Sequence, residues 1–236
     1  MSVSVETTSN NLLLGGRAAR RELLSVIDCE PVGPYSLLRL ERGGMDPGIP
    51  GQFFMLEAPG RLLPRPMSLC QAPPGELAFL IDPIGPGTSA LCALEARGAI
   101  HVLGPLGNGF DVEVERPLLV AGGVGIAPMP YVSHTLGGAP AIVGFRTERQ
   151  AEAARVLLPQ AEIAVEPRLV TDLLPEEPGD VLACGPEGML EAVRMRAPSA
   201  QLAREAPMAC GYGACYGCVV ESGESYIRLC IEGPIL

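Results

Sequence analysis

Four cysteines crowd the last part of the chain, Cys210, Cys215, Cys218 and Cys230, in the order C-x4-C-x2-C-x11-C. Thiolates are soft ligands, and four of them in this order, three in one loop and one distal, match the plant-type ligand run of a [2Fe–2S] cluster. The residues between them are small: Gly211, Gly213, Ala214 and Gly217. That suits a cluster, whose sulfides need backbone N–H groups brought close with no side chain in the way. Zinc also takes four thiolates, but usually from two separated C-x2–4-C knuckles, whereas here three ligands share one loop. The spacing favours iron–sulfur over zinc, a disulfide or free thiols, and with it one-electron transfer. Cys29, Cys70, Cys92 and Cys184 are scattered singly and read as small buried hydrophobes.

Four further motifs could meet phosphates or a nucleotide. In Arg65-Pro66-Met67-Ser68 a forked, permanently charged donor stands beside a hydroxyl. Gly85-Pro86-Gly87-Thr88 precedes a predicted helix running through Leu91, Leu94 and Glu95, so backbone N–H groups would open at its N-terminus. The plainer reading of that loop is a capped turn. Gly122-Gly123-Val124-Gly125-Ile126-Ala127-Pro128 follows an apolar run and leads into a helical pattern, the placement a dinucleotide pyrophosphate needs, although it lacks the G-x-G-x-x-G form. Cys184-Gly185-Pro186 is a second glycine loop after a short apolar strand, and ligands of open α/β sheets gather at such strand ends.

The elements that must position these residues fall into two patterns. From Arg20 to about Glu115, short apolar runs (Arg21–Cys29, Tyr35–Leu40, Gln52–Glu57, Met67–Gln71, Glu76–Ile81, Ala99–Leu103) alternate with Gly and Pro, which predicts a small antiparallel Greek-key β-barrel. After Arg116, strand-like runs at Pro117–Ala121, Ala139–Phe145, Glu162–Val165 and Asp180–Ala183 alternate with helical stretches at Met129–Leu136, Glu148–Leu157 and Glu187–Arg196, which predicts a parallel sheet covered by helices. The expected division is a loosely held arm over 1–16, the barrel over 17–115, the α/β domain over 116–199 and a small cysteine module over 200–236.

Composition narrows the chemistry. Net charge is −10 with no basic run, which argues against nucleic acid and anionic membranes as partners. No apolar stretch of about 18 residues is present, and the N-terminus has no secretory pattern, so a cytoplasmic location is expected, where thiolates stay reduced. All 17 basic residues are Arg, which excludes Schiff-base lysines and a P-loop lysine. The only histidines, His101 and His134, sit in no nucleophile motif, so a hydrolytic triad is not expected and cofactors must carry the chemistry.

Taken together, R-P-M-S, G-P-G-T, G-P-L-G-N-G-F, A-G-G-V-G-I-A-P and A-C-G-P-E-G-M-L, in that order, resemble the ferredoxin–NADP reductase-like flavoproteins. The tail M-A-C-G-Y-G-A-C-Y-G-C-V-V-E with L-C-I-E-G-P-I-L narrows the resemblance to the electron-transfer subunits of class 1B dihydroorotate dehydrogenases, over about residues 20–236. The resemblance implies FAD held by Arg65, Pro66, Met67 and Ser68, with Gly87 and Thr88 at its pyrophosphate and backbone contacts from Leu80, Ile81 and Asp82. It implies NAD lined by Gly122, Gly123, Val124, Gly125, Cys184, Gly185 and Pro186, and a [2Fe–2S] cluster on the four tail cysteines. It further implies an FMN-containing catalytic partner, in a heterotetramer of two copies of each chain, and a relay from that FMN through the cluster and FAD to NAD⁺ in pyrimidine biosynthesis. A stand-alone NAD(P)H reductase, or one serving an oxygenase or hydrogenase, would use the same modules. Arg146, Glu148 and Arg149, after the second parallel strand, carry both signs of charge, so NAD is preferred over NADP on the resemblance alone. The apolar tail Ile231–Leu236 suits either a docking surface for the partner or packing on its own domain.

Overall fold

The computed structural model describes residues 10–14, 17–223 and 225–236. Strands β1 (Asn10–Leu14), β2 (Arg17–Val32), β3 (Tyr35–Glu41), β4 (Phe53–Leu56), β5 (Arg65–Ser68), β6 (Glu76–Ile81) and β7 (Ala99–Leu106) form one antiparallel sheet. Its order is β5-β4-β7-β2-β3-β6, with β1 paired to β2. The long β2 pairs with β7 over Arg20–Ser25 and with β3 over Val26–Val32, so it bends around the barrel. A bridge between Gln71 and Ala78 brings the chain after β5 onto β6. The interior holds Leu38, Leu40, Phe54 and Phe79, all fully buried, with the two rings edge to face at 5.6 Å.

The arm expected over 1–16 lies partly outside the described residues. Its portion Asn10–Leu14 forms β1, in register Asn10 to Arg21 and Leu14 to Arg17. Helix α1 (Pro86–Cys92) begins inside the Gly85–Thr88 loop expected to precede it, because Pro86 takes the first helical position, where its missing N–H costs nothing, and it ends before Leu94 and Glu95.

The second half is a parallel sheet of β8 (Pro117–Gly122), β9 (Ala141–Phe145), β10 (Glu162–Val165), β11 (Asp180–Cys184) and β12 (Gln201–Ala203), in the order β10-β9-β8-β11-β12. Along β8, Leu119 and Ala121 face one core and Leu118 and Val120 the other, which explains its unbroken apolar run. Helices α2 (Met129–Thr135), α3 (Glu148–Leu157) and α4 (Glu187–Arg196) cover the faces. Thr147 caps α3 by accepting from the Gln150 N–H at 3.3 Å. One core cluster joins the two halves, with Val32, Tyr35 and Leu80 of the barrel among Leu119, Val143 and Ala151. At the same boundary the Tyr131 hydroxyl donates to the Gly48 carbonyl at 2.9 Å.

The cysteine module adds a hairpin, β13 (Val219–Ser222) and β14 (Ser225–Arg228), and the short α5 (Leu229–Glu232). Leu229, Cys218 and Cys230 pack with Phe53, Met55 and Leu106 on the outside of the barrel. The tail then runs back along β12: Leu202 and Leu236 exchange N–H···O bonds at 2.9 and 3.0 Å, and the Arg204 N–H donates to the Pro234 carbonyl at 2.9 Å. Of the two roles open to Ile231–Leu236, the structure takes packing on its own domain, because the edge of β12 offers unpaired backbone groups that the tail satisfies. Among the described residues no helix is long and apolar enough to cross a membrane.

Candidate functional site

The cysteine loop is held by its backbone. The Gly213 N–H donates to the Cys230 Sγ at 3.2 Å, the Gly217 N–H to the Cys215 Sγ at 3.4 Å, and the Cys218 and Cys230 sulfurs are 3.2 Å apart. Gly211 turns at φ +77°, and a Cβ there would strike Met55 of β4, so only glycine lets the loop lie on the barrel. Arg228 braces it from the other side, paired to Glu232 at 2.9 Å and set over the Tyr216 ring at 5.5 Å. The Cys215 thiol is exposed and lowered to about 7 by the N–H groups of Gly217 and Cys210, whereas burial, then the Cys218 thiol, pushes Cys230 up to about 12.

Among the described residues no three His, Cys, Asp or Glu side chains converge as ligands of a single ion. The thiols form two pairs instead, Cys210 beside Cys215 and Cys218 beside Cys230. A tetrahedral zinc needs all four sulfurs on one centre, while a binuclear cluster needs two thiolates per iron. The donor set fits the latter.

A second assembly lies on the neighbouring strand. Met55 of β4, beneath the cysteine loop, pairs in register with Pro66 of β5. Arg65, next in β5, donates from Nη1 to the Leu63 carbonyl at 2.8 Å and turns Nε and Nη2 toward Gly87 at the start of α1. Any side chain at Gly87 would collide with that guanidinium, so R-P-M-S and G-P-G-T, separated in sequence, meet in one cradle. The Thr88 hydroxyl serves the turn, accepting from the Gly85 N–H and donating to the Gly85 carbonyl, both at 3.1 Å. The first-turn N–H groups of α1 lie outside the helix's own hydrogen-bond ladder. Leu80 and Ile81 turn their side chains into two cores, so only their backbone can reach a ligand, and Asp82 follows with its carboxyl raised by burial.

The third assembly is a cleft of about 570 Å³ at the carboxyl ends of the parallel strands. Gly122, Gly123, Val124, Gly125, Gly185 and Pro186 all line it. Cys184 does not. It is 4% exposed, its thiol is driven far up by burial, and its carbonyl rests against Gly125, where a Cβ has no room. Of the three charged residues expected to sort NAD from NADP, Arg146 alone lines the cleft, while Glu148 turns aside to pair with Arg155 at 2.6 Å. Sequence reasoning missed Gln150, Glu166, Arg168, Thr171 and Glu205. The position of Glu166, just past the end of β10, was the available signal.

Residues 205–236 match the family model for the iron-sulfur cluster binding domain of dihydroorotate dehydrogenase B. The electron transfer subunit of dihydroorotate dehydrogenase B (NAD(+)) from Clostridium perfringens is 31% identical over 205 residues, 78% of this chain and 83% of the relative. That of Listeria monocytogenes serovar 1/2a is 34% identical over 217 residues, 79% of this chain and 84% of the relative. Among solved structures, an NADH-dependent reduced ferredoxin-NADP oxidoreductase superposes with a TM-score of 0.78 at 21% identity, over 91% of this chain and 88% of the other. Phthalate dioxygenase reductase does so at 0.63 and 14% identity, over 84% and 85% of the two chains. The structural neighbours share the fold: an antiparallel barrel, a parallel sheet with helices and, here, a cysteine module. On sequence identity and coverage, the chain belongs to the family of dihydroorotate dehydrogenase B electron transfer subunits, oxidoreductase components of an NAD-linked dehydrogenase.

Proposed function

We propose that the chain passes electrons from the reduced FMN of a dihydroorotate-oxidising partner subunit to NAD⁺, in the orotate-forming step of pyrimidine biosynthesis, within a cytoplasmic heterotetramer of two copies of each chain. The paired thiols of Cys210 with Cys215 and Cys218 with Cys230 hold a [2Fe–2S] cluster. Arg65, Pro66, Met67 and Ser68, the backbone of Leu80, Ile81 and Asp82, and the helix start at Gly87 and Thr88 hold FAD. NAD lies across Gly122, Gly123, Val124, Gly125, Gly185 and Pro186, with Cys184 beneath the floor. When bound, FAD takes electrons singly and returns them in pairs as a hydride, which joins a one-electron centre to a nicotinamide.

The chain's own residues bind and position. Arg65 offers a fixed cation to a pyrophosphate, and Gly87 leaves the space that lets the helix N–H groups approach the same anion. Hydride transfer needs no acid or base from the protein, which agrees with a chain holding only two histidines. The observation that carries the reading is the seating of the cysteine loop on β4, one strand from β5 and its Arg65–Ser68 motif.

The test is to purify the full chain anaerobically and quantify iron, sulfide, zinc and flavin. Two irons and one FAD per chain are expected. A colourless zinc protein would overturn the assignment.

A further inference from the structure

We propose that Glu166 sets the preference of the cleft for NAD over NADP, by pairing with Arg146 and placing a carboxylate where a 2′-phosphate would arrive. The inference rests on the reading of the cleft as a dinucleotide site. The two glycine loops sit at the ends of β8 and β11, in the middle of the sheet, where a pyrophosphate belongs. A dinucleotide must then extend to both sides. On the β12 side the charged lining residue is Glu205, in the segment that leads into the cysteine loop on the barrel. That end lines the cleft with no cation for a phosphate. The adenosine ribose is left for the β10 side, where Arg146, Glu166 and Arg168 line the wall.

Two guanidiniums at the ribose would by themselves invite a phosphate. Glu166 changes that balance. Its N–H donates to the Phe145 carbonyl at 3.0 Å, which fixes it beside the end of β9, and its Oε1 lies 3.9 Å from the Arg146 Nε. Arg168 is turned toward Glu162 at 3.5 Å. A 2′-phosphate would therefore meet a carboxylate and two cations already engaged, whereas a free ribose diol can donate to that carboxylate. The Arg146 and Glu166 side chains are 81% and 52% exposed, so this pair adds little to folding and its effect lies in recognition.

The test is calorimetric titration of the full, cofactor-bearing chain in its oxidised form with NAD⁺ and with NADP⁺, which reads affinity without turnover. The unaltered protein is expected to bind NAD⁺ more tightly. Glu166→Gln should shift the NADP⁺-to-NAD⁺ affinity ratio toward NADP⁺ by about tenfold or more, the scale of one charge-assisted hydrogen bond gained. Adding Arg146→Gln should remove that gain. A ratio unmoved by Glu166→Gln, or an unaltered protein that already prefers NADP⁺, would overturn the proposal. Failure of both nucleotides to bind would instead overturn the dinucleotide reading of the cleft, and this assignment with it.

Discussion

Removing Pro234–Leu236 tests whether the tail belongs to the fold or is held out for a partner. The truncation deletes three backbone hydrogen bonds, the two exchanged by Leu202 and Leu236 and the one from Arg204 to Pro234. At about 1 kcal/mol net for each, with about 1 kcal/mol more for the apolar contact of Ile235, the loss is about 4 kcal/mol. For a chain of this size each kcal/mol moves the melting temperature by roughly 2–4 °C, so a drop of about 8–16 °C is expected by differential scanning calorimetry. Ile235→Ala keeps all three bonds and loses only apolar contact from a half-buried side chain, about 1 kcal/mol, so it should melt well above the truncated chain. The truncated chain should also lose iron more readily, because Asn108 and the tail together fix the segment just after Cys230. An unchanged melting temperature would refute the structural role. Lost partner binding at an unchanged melting temperature would assign the tail to docking.

Gly87→Ala should favour helix α1 by about 1 kcal/mol through propensity. It should nevertheless weaken FAD retention about tenfold or more, since its methyl displaces the Arg65 guanidinium; flavin content after gel filtration separates the two effects. Cys218→Ser should abolish stoichiometric iron, whereas Cys184→Ser should keep it, at a stability cost of about 1–3 kcal/mol for a hydroxyl in an apolar site; iron assay and denaturant titration read both.

What could be read from sequence alone were features whose cause is local. Pro117–Ala121 is apolar without alternation because both faces of β8 are buried, and Glu148–Leu157 carries its cap at Thr147, so both were recognisable. The cysteine spacing and the glycine loops likewise declare their chemistry within a few residues. The tail was ambiguous because Ile235 and Leu236 have no period of their own; their partner is β12, some thirty residues earlier. Asn10–Leu14 was missed for a similar reason, since its pairing with β2 follows from the unpaired edge, not from its own composition. The β10 end of the cleft was hidden because Glu166 and Arg168 acquire meaning only when parallel strands bring them beside Arg146. Cys184 was legible as a buried hydrophobe but not as a residue beneath the cleft: its motif belongs to the cleft, while alternation along β11 turns its side chain into the core.

The central claim is that electrons enter from a dihydroorotate-oxidising partner and leave on NAD⁺. The most direct test is anaerobic reconstitution of the full chain with such a subunit, following NAD⁺ reduction at 340 nm on adding dihydroorotate. Reduction that needs both chains, and that disappears with Cys218→Ser while NADH-dependent reduction of a soluble flavin acceptor survives, is the predicted result. Reduction of soluble acceptors by NADH with no dihydroorotate-dependent reduction of NAD⁺ would contradict it.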